Sequence, residues 1–580
     1  MKPFKFDPPR EIKDLRNMVQ TSAAFFGDKD LYVYKYVYKE DKQKIHYSYN
    51  RLRDETEQFG TALNVLGIDD GHVAVISHTA ARFTVTYLGT VNAGGVIVPL
   101  DPDIGHDELI KFINHAECSA VVFAEEFNGI LTKRAAEMPR VKYYIPMKGD
   151  DSVDESLENK PVVMTFDEVL ALGNQALNEH NNSYYLHPID ENKMCAIIFT
   201  SGTTGTSKGV MLSEKNLATA AWASCRAVPY DSKTRLVSVL PQHHTYEMTC
   251  SHLAVINLGA SEYINDSLKY TIRNFQNYKP NALVLVPLFV ETVYKKIWDE
   301  IRKKGMEKKV RTLMKVSDAL LKIGIDLRQK FFGQILAAMG GEVKSIICGG
   351  APISPKILED FYSFGIVIFE GYGITECAPL VACNPNGAAK FGSVGKPVYG
   401  ERVRIDKDPI EDFGEIVVKG DNVMLGYYKD EKSTKSAFTH DMKNFENNGW
   451  FKTGDIGYID NDGYIYITGR KKNVIILSNG KNVFPEELEE HLSHCELIKE
   501  SVVIGRKSEA TGEVAITALI HPDYEKLEGK SDNEVLATIK DAVNEINRSL
   551  PAFKHMSEVE IMKEEFEKTT SKKIKRYLYK

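Results

Sequence analysis

The segment Thr200-Ser201-Gly202-Thr203-Thr204-Gly205-Thr206-Ser207-Lys208 gathers hydroxyls, glycines and one ammonium in an order suited to a polyphosphate. Gly202 and Gly205 let the backbone turn sharply and bring its N–H groups close to a charged ligand. Thr200, Ser201, Thr203, Thr204, Thr206 and Ser207 add hydroxyl donors, and Lys208 offsets phosphate charge. The apolar run Cys195-Ala196-Ile197-Ile198-Phe199 directly upstream reads as a buried strand that would carry the loop at its end. In the commonest phosphate loop a Gly-Lys pair is followed by Ser or Thr, whereas Lys208 is followed by Gly209 and Val210. Walker-type hydrolysis is therefore disfavoured, and a hydroxyl-rich linker is the competing reading.

Further motifs separate these readings. Gly349-Gly350-Ala351-Pro352 follows the strand-like Ser345 to Cys348, and Gly371-Tyr372-Gly373-Ile374-Thr375-Glu376 follows the apolar run Gly365 to Phe369. Both then sit just past the carboxyl ends of strands, where open α/β sheets bind ligands. Trp450-Phe451-Lys452-Thr453-Gly454-Asp455, Gly469-Arg470 and Lys568-Thr569-Thr570-Ser571-Lys572-Lys573-Ile574-Lys575-Arg576 come next. Together and in this order, over nearly the whole chain, they resemble the AMP-forming acyl-CoA synthetases of the adenylate-forming superfamily.

The resemblance implies a carboxylate that attacks the α-phosphate of ATP, releases pyrophosphate, and passes as acyl-adenylate to the thiol of CoA. It implies that Thr200, Ser201, Gly202, Thr203, Thr204, Gly205, Thr206 and Lys208 hold the β- and γ-phosphates, and that Glu376 with Thr200 binds Mg²⁺. Thr375 then touches the α-phosphate. Tyr372 and Gly373 with the Gly349-Gly350-Ala351 backbone form the adenine pocket, and Asp455 accepts the ribose hydroxyls. Arg470 is either a second ribose or phosphate contact or a structural ion-pair partner. Lys573 takes the position of the catalytic lysine that bridges carboxylate and α-phosphate. The family often has Ser-Gly-Lys where this chain has Ser571-Lys572-Lys573, so a share of the role stays open for Lys572 and Lys575. Lys472 matches the hinge, and Ser478-Asn479-Gly480-Lys481 matches the lining of the pantetheine tunnel, with Asn479 where a glycine is frequent.

The acid is suggested by Leu240-Pro241-Gln242-His243-His244-Thr245-Tyr246-Glu247, which resembles the gate and acid-pocket motif of long-chain fatty acid–CoA ligases. His244 is read either as a gate or as a core histidine. Amino-acid-activating relatives place an aspartate about where Thr245 stands, and without it a buried substrate ammonium would lack compensation. The implied substrates are a fatty acid, ATP and CoA. An acyl carrier protein is the alternative acceptor, and a non-catalytic nucleotide-binding regulator the alternative to an enzyme; retention of Glu376, Asp455, Arg470 and Lys573 argues against the latter.

The elements that must position these residues follow from length and periodicity. A chain of 580 residues is too long for one core. Apolar runs at Val73 to Ile76, Val96 to Leu100, Ala120 to Phe123, Ala196 to Phe199, Leu283 to Val286 and Ser345 to Cys348 alternate with helical patterns, which predicts an α/β fold. Leu52, Thr56, Phe59, Leu63 and Leu66 share one helical face, with Asn50 as N-cap and Gly67 as stop. Asp460-Asn461-Asp462-Gly463 predicts a hairpin. We expect a large domain of mixed and parallel sheets flanked by helices over 1–471. A small, mobile α+β domain over 472–580 would then hold a helix from Pro485 to His494 and another from Asp532 to Leu550.

Composition narrows the setting. Hydrophobic residues at 43% exclude a disordered chain, and a net charge of -7 gives no global reason to expect nucleic acid. The eight cysteines form no CxxC pair, which fits a reducing cytoplasm. The amino terminus lacks an apolar signal core, and no stretch approaches the ~18 apolar residues of a membrane span. Residues 295–330 are rich in Lys and Arg interleaved with Val310, Leu313, Met314, Leu320, Leu321 and Ile323. Such a basic amphipathic insertion is either a solvated face packed on the main domain or a contact with a polyanionic partner or, peripherally, with an anionic inner membrane face.

Overall fold

The apolar runs at Val73, Val96, Ala120 and Ala196 enter one eight-stranded sheet. Its order is Gly426–Tyr427, Lys208–Ser213, Met194–Thr200, Val96–Leu100, His72–Ile76, Ala120–Phe123, Tyr143–Pro146 and Val162–Val163. The computed structural model describes residues 2–35, 44–149, 151–152, 161–200, 207–409, 411–440, 448–478, 481–507, 513–568 and 574–579. Strands His72–Ile76, Val96–Leu100, Ala120–Phe123 and Tyr143–Pro146 pair in parallel, and the first three read as continuous apolar runs because both faces are covered. Ala74, Val98, Val121 and Ile197 pack against Leu109, Ile110 and Ile113 of the helix His106–His115.

A five-stranded sheet holds the glycine motifs. Ala282–Leu285, Ser345–Gly349 and Val367–Gly373 run parallel, and Leu380–Cys383 and Lys396–Pro397 close its edge antiparallel. A four-stranded sheet is built from Arg235–Ser238, Ser261–Ile264, Asp30–Lys35 and Lys44–Ser48. The architecture is the expected α/β type with mixed sheets and flanking helices.

The helix predicted from Leu52 to Leu66 spans Tyr49–Val65 and buries Leu52, Thr56, Phe59 and Leu63. Its cap is Ser48 rather than Asn50: the Ser48 hydroxyl accepts the Arg51 amide, and Asn50 instead donates to Asp28 at 2.9 Å. The basic stretch forms the helices Pro287–Lys303, Glu307–Lys322 and Arg328–Ala338. Trp298, Ile301, Val310, Met314, Phe332 and Leu336 are buried in one core with Leu358, Phe361 and Phe364. Several of the basic side chains are matched by acids three or four residues away, as in Arg302–Asp299, Lys304–Glu300 and Arg311–Glu307. Packing on its own domain thus accounts for the apolar stripe, with Val316, Ile323 and Ile325 left exposed. Among the described residues no helix is long and apolar enough to cross a membrane.

The chain divides into two compact units. The first draws on 1–200, 208–402 and 419–436, and the second includes 403–418 and 437–580. In the second, Phe451–Ile459 and Ile465–Arg470 form the predicted hairpin, turning at Gly463 with φ +84°. Asp460 Oδ1 accepts the Asp462 and Tyr464 amides, which fixes that turn. Further on, Ile498–Lys507, Val514–Pro522 and Glu558–Ile561 form a sheet packed with the helices Pro485–Ser493 and Asp532–Asn547. The second helix stops short of Leu550 because Asn547 turns its amide onto Met556, bonding both its N–H and its carbonyl, ahead of Pro551.

One buried carboxyl ties the first unit's amino terminus down. Glu214, 4% exposed, accepts the Leu15 amide at 2.6 Å. Burial pushes its pKa up to about 7, with the Leu15 amide opposing. A folded-state value above the unfolded 4.5 means that its contribution is full below 4.5 and is lost as pH rises through about 7. Glu214→Gln should therefore gain in thermal midpoint relative to the unsubstituted chain between about pH 5 and pH 8. A difference that does not change with pH would contradict the assignment.

Candidate active site

The strand Met194–Thr200 and the strand Lys208–Ser213 are antiparallel neighbours in register Phe199↔Gly209 and Thr200↔Lys208. The two ends of the hydroxyl-rich loop are therefore side by side. Ser201, Gly202, Thr203, Thr204, Gly205 and Thr206 lie outside the described residues. Phe199 stacks on Phe112 with centroids 4.3 Å apart and planes at 10°, which anchors the strand end. The Thr200 hydroxyl points to the Lys208 carbonyl at 3.4 Å.

Lys208 is held by two contacts. Its ammonium donates to Ser433 Oγ at 2.8 Å and lies 4.6 Å from the centroid of the Tyr427 ring. The Tyr427 hydroxyl donates to Glu376 Oε1 at 2.9 Å. Burial raises the Tyr427 pKa far above its usual value, with Glu376 adding to the effect, so the phenol stays protonated and remains a donor. Gly426–Tyr427 is itself an edge strand on Lys208–Ser213, and the Met424 amide donates to the Glu376 carbonyl at 2.8 Å. Two motifs far apart in sequence are thereby joined, ammonium to ring to carboxylate. Tyr427 and Ser433 escaped the sequence reading because no glycine-rich or charged pattern marks them.

The two glycine motifs end together. Gly349 pairs with Gly371 across parallel strands, and a Cβ on Gly349 would stand 3.2 Å from the Gly371 carbonyl and 3.5 Å from the Tyr246 ring. Tyr246 belongs to the Leu240–Glu247 segment and donates to the Ile347 carbonyl at 3.2 Å. The Leu240–Glu247 segment thus abuts the strand end that carries Gly349. Gly350 has φ +92°, Ala351 is exposed, and Tyr372 is buried. Thr375 and Glu376 lie in a single helical turn, Thr375–Cys377, directly after Gly373. A Cβ on Gly373 would lie 2.0 Å from the Pro379 carbonyl oxygen. Gly373→Ala must therefore shift the backbone that carries Thr375 and Glu376, and for the ATP chemistry that the resemblance implies we expect at least about a tenfold loss of turnover, measured by pyrophosphate release. Unchanged turnover would remove this glycine from the site.

Along the Leu240–Glu247 segment Gln242 is buried, donating to Thr84 Oγ1 at 2.7 Å and accepting the Ala80 amide at 3.0 Å. His243 is buried 3.6 Å from Asp101 Oδ2, with its ring 4.2 Å from that of His244. Burial, with His244 beside it, holds the His243 pKa well below the usual value, so this imidazole is neutral. His244 is half-buried and Thr245 is buried at the start of a short helix.

Within the second unit, Asp455 and Arg470 face each other across the hairpin, and Arg470 Nε meets Asp455 Oδ1 at 2.7 Å. Asp455 is 4% exposed, and its own amide donates to Thr453 Oγ1 at 3.0 Å. Lys471 pairs with Glu415 at 2.7 Å while Lys472 is exposed in the turn Lys471–Asn473. Ser478 is exposed, and the Lys481 ammonium lies 4.3 Å from the Phe553 ring centroid. Asn479 and Gly480 lie outside the described residues, as do Lys572 and Lys573. Their flanks are tied: Lys568 bridges Ile574 antiparallel, Lys575 pairs with Glu567 at 3.5 Å, and Arg576 reaches Glu489 at 2.7 Å.

Residues 19–428 match the family described as AMP-binding enzyme, and residues 472–579 match the AMP-binding enzyme C-terminal domain. A chloroplastic long-chain-fatty-acid–acyl-carrier-protein ligase of Arabidopsis thaliana is 28% identical, over 92% of this chain and 79% of that protein. A long-chain-fatty-acid–CoA ligase of Mycobacterium bovis is 27% identical, over 88% of this chain and 86% of its own length. Among solved structures, ATP-bound MatB from Rhodopseudomonas palustris shares the fold with a TM-score of 0.72 at 24% identity, covering 97% of this chain and 98% of its own.

Proposed function

The chain belongs to the AMP-binding enzyme family, and on that premise we propose that it activates a long-chain fatty acid as its acyl-adenylate and transfers the acyl group to CoA. A carboxylate oxygen attacks the α-phosphorus of ATP and pyrophosphate leaves; the CoA thiol then attacks the acyl carbonyl and AMP leaves. The observation that carries the reading is the link from Lys208 through Tyr427 to Glu376, which sets one cation and one carboxylate beside the ends of the hydroxyl-rich loop. Positioning and electrostatic compensation dominate a step that brings a carboxylate against a triphosphate.

In this reading the loop of Thr200 to Lys208 holds the terminal phosphates. Glu376 and the Thr200 hydroxyl offer oxygen donors of the kind Mg²⁺ prefers, and the ion would neutralise charge as pyrophosphate departs. Gly349, Gly350, Ala351, Tyr372 and Gly373 receive adenine, Thr375 the α-phosphate, and Asp455 with Arg470 the ribose. Lys573 completes adenylation. The small domain then swivels about Lys472 so that Ser478, Asn479, Gly480 and Lys481 line the path of the thiol. His244 and Thr245 shape the acid pocket.

A second acceptor is favoured by one specific observation, since one relative is named for transfer to an acyl carrier protein. A panel of carboxylic acids assayed for AMP release, with CoA and carrier protein as competing acceptors, tests both. Long-chain acids with CoA should give the highest turnover. A preference for carrier protein would replace the acceptor, and preference for short or amino acids would replace the substrate class.

Membrane delivery of the acid is tested separately. Lys303, Lys304, Lys308 and Lys309 are exposed, and their joint replacement by glutamine should weaken binding to anionic vesicles by roughly 1 kcal/mol per charge, less at high salt. No change in binding would leave these helices as a solvated face.

A further inference from the structure

Behind the Leu240–Glu247 segment, three ionisable side chains meet out of reach of water. Glu247, His252 and Glu262 are each 0% exposed. Glu247 ends the short helix Thr245–Glu247, His252 lies in the π-helical turn Met248–Leu253, and Glu262 lies in the strand Ser261–Ile264. Backbone bonds in a π turn run from i to i+5, so residues five apart share a face; such turns recur at functional sites. This one sets His252 beneath Glu247.

Each of the three is fixed by a hydroxyl at one polar atom and leaves a second atom unsatisfied. Ser238 Oγ donates to Glu247 Oε1 at 2.6 Å, and Ser251 Oγ donates to Glu262 Oε1 at 2.6 Å. The Tyr32 hydroxyl lies 3.1 Å from His252 Nδ1. Glu247 Oε2, Glu262 Oε2 and His252 Nε2 are buried without a hydrogen-bond partner. Glu262 Oε2 is 2.9 Å from His252 Nδ1, in a geometry that makes no hydrogen bond, and Glu247 Oε1 is 4.0 Å from His252 Nε2. One potential ligand atom from each residue lies within 4.8 Å of the other two.

Two carboxylates buried side by side need compensating positive charge, and among the described residues neither has a lysine or arginine partner. One imidazole nitrogen and two carboxylate oxygens make a donor set suited to zinc. The serine hydroxyls on both carboxylates, with the Tyr32 hydroxyl at His252 Nδ1, supply outer contacts of the kind that orient metal ligands. Ligand bonds of about 2.0–2.2 Å place tetrahedral donor atoms about 3.4 Å apart, so the three side chains would draw in from their span of 4.8 Å as the ion binds. We propose that Glu247, His252 and Glu262 form a structural site for a divalent transition metal of the zinc class, separate from the magnesium of the nucleotide reaction. Bound there, the ion ties the π turn and the strand Ser261–Ile264 to the back of the Leu240–Glu247 segment.

The test uses the full chain, produced in zinc-supplemented medium and purified without chelator or nucleotide. Elemental analysis should find about one zinc per chain. Stripping with a strong chelator should lower the thermal midpoint, and zinc but not magnesium should restore it. Glu262→Gln should abolish stoichiometric zinc. Ser251→Ala keeps all three ligands and should weaken zinc binding by about 10- to 100-fold, so the question stays decidable if Glu262→Gln fails to fold. Less than about 0.1 zinc per chain with no zinc-dependent midpoint shift overturns the site and leaves protons as the compensating charge. Full zinc retention in Glu262→Gln overturns it as well.

Discussion

Lys573→Ala is expected to cut fatty-acid-dependent pyrophosphate release by about 100- to 1,000-fold, the usual cost of removing a group that stabilises developing charge. Thioester formation from supplied acyl-adenylate should change by no more than about threefold, because that step has no triphosphate to neutralise. The split between the half-reactions is the informative readout, since a folding defect would lower both. Lys575→Ala is the internal comparison: that ammonium already pairs with Glu567 at 3.5 Å, so its loss should leave adenylation close to normal. If Lys572→Ala instead reproduces the deficit, the role moves by one residue. Equal loss in both half-reactions on Lys573→Ala would remove the catalytic assignment.

Glu376→Gln should lower kcat/KM for magnesium-ATP by about 100-fold and raise the magnesium concentration needed for half-maximal rate. Glutamine still presents an oxygen to the Tyr427 hydroxyl, which donates to Glu376 Oε1 at 2.9 Å, so the substitution removes charge while keeping shape. Tyr427→Phe isolates the other half of the link. Its ring still lies under the Lys208 ammonium, but Glu376 loses a donor, and we expect roughly a tenfold loss, the scale of one hydrogen bond to a charged group. Magnesium titrations that superimpose for Glu376→Gln and the unsubstituted chain would reassign the metal ligand.

Much of the scaffold is legible in the sequence. Parallel strands such as Val96–Leu100 are apolar at successive positions because both faces are covered, so they announce themselves without long-range information. The hairpin at Asp460 to Gly463 was readable because its turn chemistry is local. Local competition set the misses: Ser48 and Asn50 are both good caps, and only the path of the chain from the strand Lys44–Ser48 gave the position to Ser48. At Asn547 a side-chain bond to Met556 ended a helix whose apolar periodicity ran on.

What the sequence determined by itself is the order of motifs and the residue types gathered in each: hydroxyls, glycines and Lys208 in one run, Glu376 after a glycine motif, and Asp455 after Thr453-Gly454. Tertiary structure alone decided which of them meet. Tyr427 stands between Lys208 and Glu376 because an edge strand adds to Lys208–Ser213, and Glu247, His252 and Glu262 converge because a π turn and a neighbouring strand bring them together. The physical reason is that periodicity reports only which face of an element is buried, whereas a polar contact depends on where two distant backbones are held by cores to which neither residue contributes.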